Sequence, residues 1–135
     1  MAKSNFGVVG PQVIRSYKAD VDLTAGLAVM AGAAVNSVKL PTGANVRALG
    51  VTAAASQAGS TDKVVAVVEF GEVTAVADAA ITRGAWVMAN AATGKIAPIA
   101  AVAGTNYEAI GIALEAAAAQ DDEFLLFVCP SRAQG

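Results

Sequence analysis

The chain has no histidine. It has one cysteine, four prolines, aromatics at only 5% of its 135 positions and charged residues at 15%. Each shortage closes a class of function. Without histidine there is no Ser-His-Asp or Cys-His catalysis, no His-ligated zinc and no acid–base group with an ordinary pKa near neutrality. A lone Cys129 cannot close an intrachain disulfide, which excludes a disulfide-stapled secreted scaffold and suits a reducing compartment. It also lacks a histidine to activate it as a nucleophile, so it reads as a small apolar residue at a strand end.

The nine basic residues are scattered singly and the net charge is −2. No basic stripe exists to neutralise phosphates, so no nucleic-acid partner is expected. No signal peptide is expected either, because Asn5, Gly7, Gly10 and Pro11 interrupt any apolar run near the start. The uncharged stretch Leu23 to Val38 is shorter than the ~18 residues that argue for a spanning helix. No membrane association is expected.

What is abundant is small. Apolar residues reach 56%, above the usual value of about 45–50%. Much of the excess is alanine, joined by 13 glycines. Such residues bring backbones close but bury little area each, and burial stabilises by roughly 25 cal/mol per Å². Part of this apolar surface is therefore expected to be covered by another chain. The length suits one domain.

The organisation is that of an all-β domain. Short apolar segments stand between glycines and polar turns: Leu27–Met30, Val35–Leu40, Val46–Thr52, Val64–Phe70, Val73–Val76, Trp86–Met88, Lys95–Ile99, Ile110–Leu114 and Phe124–Val128. The β-branched run around Val64–Val68 is the strongest strand, and its lack of strict alternation predicts burial on both faces. Gly50 inside a strand predicts a bulge or a close neighbouring backbone, and Pro98 predicts an edge or a strand end. Trp86–Met88 and Lys95–Ile99 read as a hairpin closed by Asn90–Gly94. Ala116–Ala119 is too short to hold a helix in water, where ~12–15 residues are marginal.

Residues 1–16 have no clear periodicity. They read either as a frayed terminus or as an extended arm that docks on a partner, with Phe6, Val8, Val9, Val13 and Ile14 as anchors. The domain proper is placed at residues 17–130, followed by a polar tail at 131–135.

Reactive constellations are weak. Glu69, Glu72, Glu108 and Glu115 fall at strand ends; a carboxylate hydrolase would need two of them to converge in a pocket with a raised pKa. Asp121-Asp122-Glu123 lacks the spaced oxygens of a calcium loop. The glycines form no phosphate-binding fingerprint. Trp86 and Tyr107 could serve as sugar-stacking platforms, or lie in a core or subunit interface. Enzymatic activity is not expected, and no cofactor or metal is implied.

An ordered set of segments carries a resemblance. Gly50-Val51-Thr52, Val68–Val73, Ala80–Val87, Thr93–Ile96, Ile110–Leu114 and Phe124–Val128, preceded by Ala19–Gly26, together resemble the capsid decoration, or cement, proteins of tailed bacteriophages over roughly residues 17–128. The resemblance implies a compact β-barrel or β-tulip-like single domain with an extended N-terminal arm. It implies a homotrimer on the outer capsid surface of the virion, made in the host cytoplasm and bridging subunits of the major capsid protein. The arm in such proteins reaches onto the capsid, so deleting residues 1–14 is expected to spare the fold and weaken attachment. The alanine-rich loops Ala53–Ala58 and Ala116–Ala119 depart from the family pattern. The rival reading is a virion-surface module that recognises carbohydrate or a receptor through Trp86 or Tyr107.

Overall fold

The computed structural model describes residues 12–56, 63–90, 92–100 and 102–134. Among them there is no helix. Nine strands follow one another: β1 (Val13–Ala19), β2 (Ala28–Ala31), β3 (Ser37–Lys39), β4 (Gly50–Thr52), β5 (Val64–Val76), β6 (Trp86–Ala89), β7 (Ile96–Pro98), β8 (Asn106–Ala113) and β9 (Glu123–Gln134). The all-β expectation holds.

The strands lie in the order β1-β3-β2-β4-β5-β9-β8-β6-β7, and β1 also pairs with β5. The first five therefore close on themselves as a barrel. The last five share β5 and form a second, open sheet. Among the described strand pairings β1–β3 is parallel and the rest are antiparallel, with one isolated parallel bridge from Ala77 to Ile96.

β5 joins the two halves, and its sequence explains how. Val65 and Val67 are buried in the barrel interior with Ala19, Leu23, Val29 and Val38. Val68, Val73 and Ala75 belong to a second cluster with Ile81, Ile96, Ile110, Phe124, Leu126 and Val128. Side chains alternate along a strand, so a change of inward parity between Val68 and Val73 requires one extra residue. The register supplies it: Ile14 faces Val68 while Val13 faces Phe70, which leaves Glu69 as a bulge. Gly71 follows at φ 114°, a conformation that costs glycine little. The expected break into Val64–Phe70 and Val73–Val76 is thus a bend inside one 13-residue strand.

The second cluster fills the space between the outer wall of the barrel (Ala28, Val51, Val68) and the inner face of the open sheet. Phe124, Ile96, Ile110 and Leu126 are its largest fully buried side chains, each stabilising by ~1.5–3 kcal/mol. Gly50 meets the expectation of close approach, since a Cβ there would lie 2.2 Å from the Val68 carbonyl oxygen. Pro98 ends the edge strand β7, opposite Val87. The expected β6–β7 hairpin is present. Ala117 is buried and bridges to Ile81 rather than starting a helix.

Two expected boundaries fall inside strands. β1 begins at Val13, so the last residues of the expected arm are already in the sheet. β9 runs to Gln134, through the stretch read as a polar tail. There it pairs with the first half of β8, Asn106↔Gln134 to Ala109↔Ser131. Apart from the buried Tyr107 and Ala109 these segments are mainly polar, and the Glu108–Arg132 ion pair adds to the backbone pairing. A hydrophobic pattern is silent about such a pairing.

Candidate functional site

Of the four carboxylates, the fold brings Glu69 and Glu108 to one groove of about 440 Å³, between the start of β4 and the end of β9. Each is paired with arginine. Arg132 donates to Glu108 Oε1 from Nη2 at 2.6 Å and from Nε at 3.1 Å, and Arg47 approaches Oε2 at 3.5 Å. The hydrogen bond from Arg132 holds the Glu108 carboxyl below its ordinary range. A general acid needs the opposite shift.

Glu69, the bulge residue, lies 3.1 Å from Arg15 Nε and accepts a hydrogen bond from the Tyr17 hydroxyl. That bond, together with burial, raises the Tyr17 pKa. The Asn45 carboxamide clamps the groove's far wall by donating to Asn106 O at 3.0 Å and accepting from Glu108 N at 2.8 Å. The groove is lined by arginine–carboxylate pairs, and Arg47 and Asn45, ahead of β4, join the barrel side to β8 of the open sheet.

The other acids are placed apart from it. Glu115 accepts the Leu125 amide at 3.0 Å. Glu72 is on the outer face of the open sheet, opposite Phe127. Asp122 accepts the amides of Ala118 and Ala119 and shapes a turn, while Asp121 pairs with Lys95. No group of three or more His, Cys, Asp or Glu suited to a metal ion occurs among the described residues.

The exposed apolar side chains form a different feature. Residues directly opposite on antiparallel strands point to the same face. Trp86 faces Ile112, Ile112 faces Phe127, and Phe127 faces Glu72. Phe70, two residues before Glu72, meets the Phe127 ring edge-on, with centroids 5.2 Å apart and planes at 76°. Val13 faces Phe70 from β1. The result is an apolar row across β1, β5, β9, β8 and β6, on the face opposite the core. Val13, Phe70 and Trp86 are 47%, 45% and 43% exposed.

The expected arm anchors divide. Phe6, Val8 and Val9 lie outside the described residues. Val13 joins the row. Ile14 is equally exposed but pairs with Val68 and faces the other way. Tyr107 is no platform: it is 7% exposed, its hydroxyl donating to Ala100 O and accepting from Val102 N. Trp86 remains open on the row.

Phe70, Phe127 and Ile112 escaped the sequence reading, although one signal was available. All five residues of Phe124–Val128 are apolar. Phe124, Leu126 and Val128 fill the core, so Leu125 and Phe127 must make the outer face apolar as well.

Comparisons with known proteins agree with this architecture. The chain is similar in fold to the head fiber gp8.5 N base of bacteriophage phi29, with a TM-score of 0.64, 15% sequence identity and coverage of 93% of this chain and 100% of that one. A search of curated proteins finds no significant match. The sequence model of the family described as phage cement protein matches residues 10–128. On that match, which spans most of its length, the chain belongs to the phage cement protein family.

Proposed function

We propose that this protein decorates the outer surface of a phage head as a homotrimer, holding neighbouring subunits of the major capsid protein together without doing chemistry. The observation that carries the reading is the apolar row from Val13 through Phe70 and Phe127 to Trp86. It includes Val13, at the start of β1. Exposed rows of this kind mark contact surfaces. The nearby carboxylates are tied to arginines and build structure.

A clamp of this sort needs only modest affinity per contact, because several copies linked by symmetry bind as one. Phe6, Val8, Val9, Val13 and Ile14 are the proposed anchors on the shell. The experiment mixes purified protein with expanded heads of the phage that carries it and measures solution mass and occupancy. A trimer that saturates outer sites supports the proposal. A monomer that leaves the heads bare contradicts it.

The exposure of Trp86 favours one second reading, a carbohydrate- or receptor-binding module on the virion. Quenching or a shift of Trp86 fluorescence on titration with surface glycans of the host would support it. The burial of Tyr107 removes its other platform.

A further inference from the structure

We infer that copies of this chain meet on the outer face of the open sheet, the β5 end of one copy's apolar row lying against the β6 end of the next, with Glu72 of one copy paired to Arg83 of its neighbour. The inference deepens the homotrimer reading above and rests on it.

Strand composition asks for a cover on this face. An antiparallel sheet with one side in water alternates apolar and polar residues. Three adjacent strands here do not: residues 86–89 of β6, 110–113 of β8 and 124–128 of β9 carry no polar side chain. Phe124, Leu126, Val128, Ile110 and Val87 fill the core. Phe127, Ile112 and Trp86 stand opposite one another on the outer face, and Leu125 stands there opposite Thr74. Such runs are the composition of strands covered on both sides. This face is present in every free molecule, before any shell is met, and an apolar patch in solution invites association.

Charge selects the occupant. Glu72 is half-buried in the row, opposite Phe127. Its carboxylate has no hydrogen bond or ion pair among the described residues, and a carboxylate among apolar side chains is costly to leave unpaired. At the other end, Arg83 is exposed in the turn before Trp86, where Ala85 N donates to Thr82 O at 3.1 Å. Its guanidinium has no partner among the described residues either, whereas Arg15, Arg47 and Arg132 each pair with a carboxylate. The row from β5 to β6 crosses three strand spacings, about 14 Å in all, so the free acid and the free guanidinium mark opposite ends of one apolar face. Laying the β5 end of one copy against the β6 end of the next joins them, in the fork geometry that arginine offers a carboxylate. A head-to-tail contact of this kind closes as a ring.

The test measures solution mass for the full chain, for Glu72→Arg, for Arg83→Glu and for both reversals in one chain. Emission of Trp86, the single tryptophan, is read alongside. The parent should be a trimer whose emission shifts red as dilution lowers its mass. Each single reversal sets like charges together and should raise the half-association concentration about a hundredfold, with a retained cooperative melt. The double reversal should restore mass and emission, which rules out misfolding as the cause of the loss. Lys39→Glu, the same change of charge on β3 of the barrel, should keep the parent's mass. Single reversals with the parent's mass overturn the inference, as does a double reversal without rescue or an equal loss in Lys39→Glu. A monomeric parent with emission independent of concentration also overturns it, and assigns the cover to the chain itself. A dimer with the same loss and rescue supports the contact and contradicts the trimer; a trimer that ignores the reversals overturns the contact and leaves the trimer standing.

Discussion

A Cβ on Gly111 would lie 1.9 Å from the carbonyl oxygen of Phe127. Backbone, not a movable side chain, occupies the space, and it belongs to the strand that contributes Phe124, Leu126 and Val128 to the core. Contact at that distance forces β8 and β9 apart where their register already shifts, between Ala109 and Gly111. Gly111→Ala is expected to cost ~1–3 kcal/mol or more. Gly43 is the control, with nothing within 4 Å of its Cβ position; Gly43→Ala should be neutral or stabilising by up to ~1 kcal/mol. Urea unfolding of the two variants checks the contrast.

The two halves of the aromatic inventory should respond differently to truncation. Phe124 is fully buried and Phe70 nearly half exposed. Phe124→Ala is expected to cost ~3–5 kcal/mol. Phe70→Ala loses only partial burial and the edge contact with Phe127, worth about 1 kcal/mol. Thermal melts separate them, and comparable losses would refute the assignment of inner and outer faces.

Acid should weaken the ion pair that ties β8 to β9. The folded Glu108 carboxyl titrates below its ordinary value of 4.5, chiefly through the hydrogen bond from Arg132. The unfolded chain then binds the proton more readily than the folded one. The contribution is fully present above the unfolded value and is lost as pH falls through the folded one. Glu108→Gln should therefore cost about 0.5–1 kcal/mol at neutral pH, and the gap from the parent should close as acid is added. A gap independent of pH in denaturant titrations would contradict the pairing.

Removal of residues 1–11 tests the arm without cutting β1, which starts at Val13. The shortened chain should keep its cooperative melt and lose occupancy on heads. A deletion through residue 14 also removes Val13 and Ile14 from their pairing with β5, so it mixes loss of attachment with damage to the barrel. Equal occupancy of the 12–135 chain and the full chain would remove the arm from the mechanism.

Much of the fold was legible because β-branched runs and glycine punctuation mark strands directly. The run from Val64 announced the central strand, Gly50 the close approach to Val68, and Pro98 the sheet edge. Three features were not legible. β1 has exposed side chains along most of its length, so no inward pattern marks it. The pairing of Asn106–Ala109 with Ser131–Gln134 has apolar anchors only at Tyr107 and Ala109 on β8, and backbone bonds and one ion pair complete it. The bulge at Glu69 is a property of two strands together, visible only in the β1–β5 register. The apolar row was half legible: Trp86 and Val13 stood out singly, but their union needs the strand order β1-β5-β9-β8-β6, which local pattern does not contain.

The decoration claim is tested most directly by imaging expanded phage heads with and without the purified protein at near-atomic detail. The account predicts three-fold density on the outer surface, spanning seams between capsid subunits, with the first residues of each chain in contact with the shell. Bare heads at saturating protein, or density confined to the interior, would contradict it.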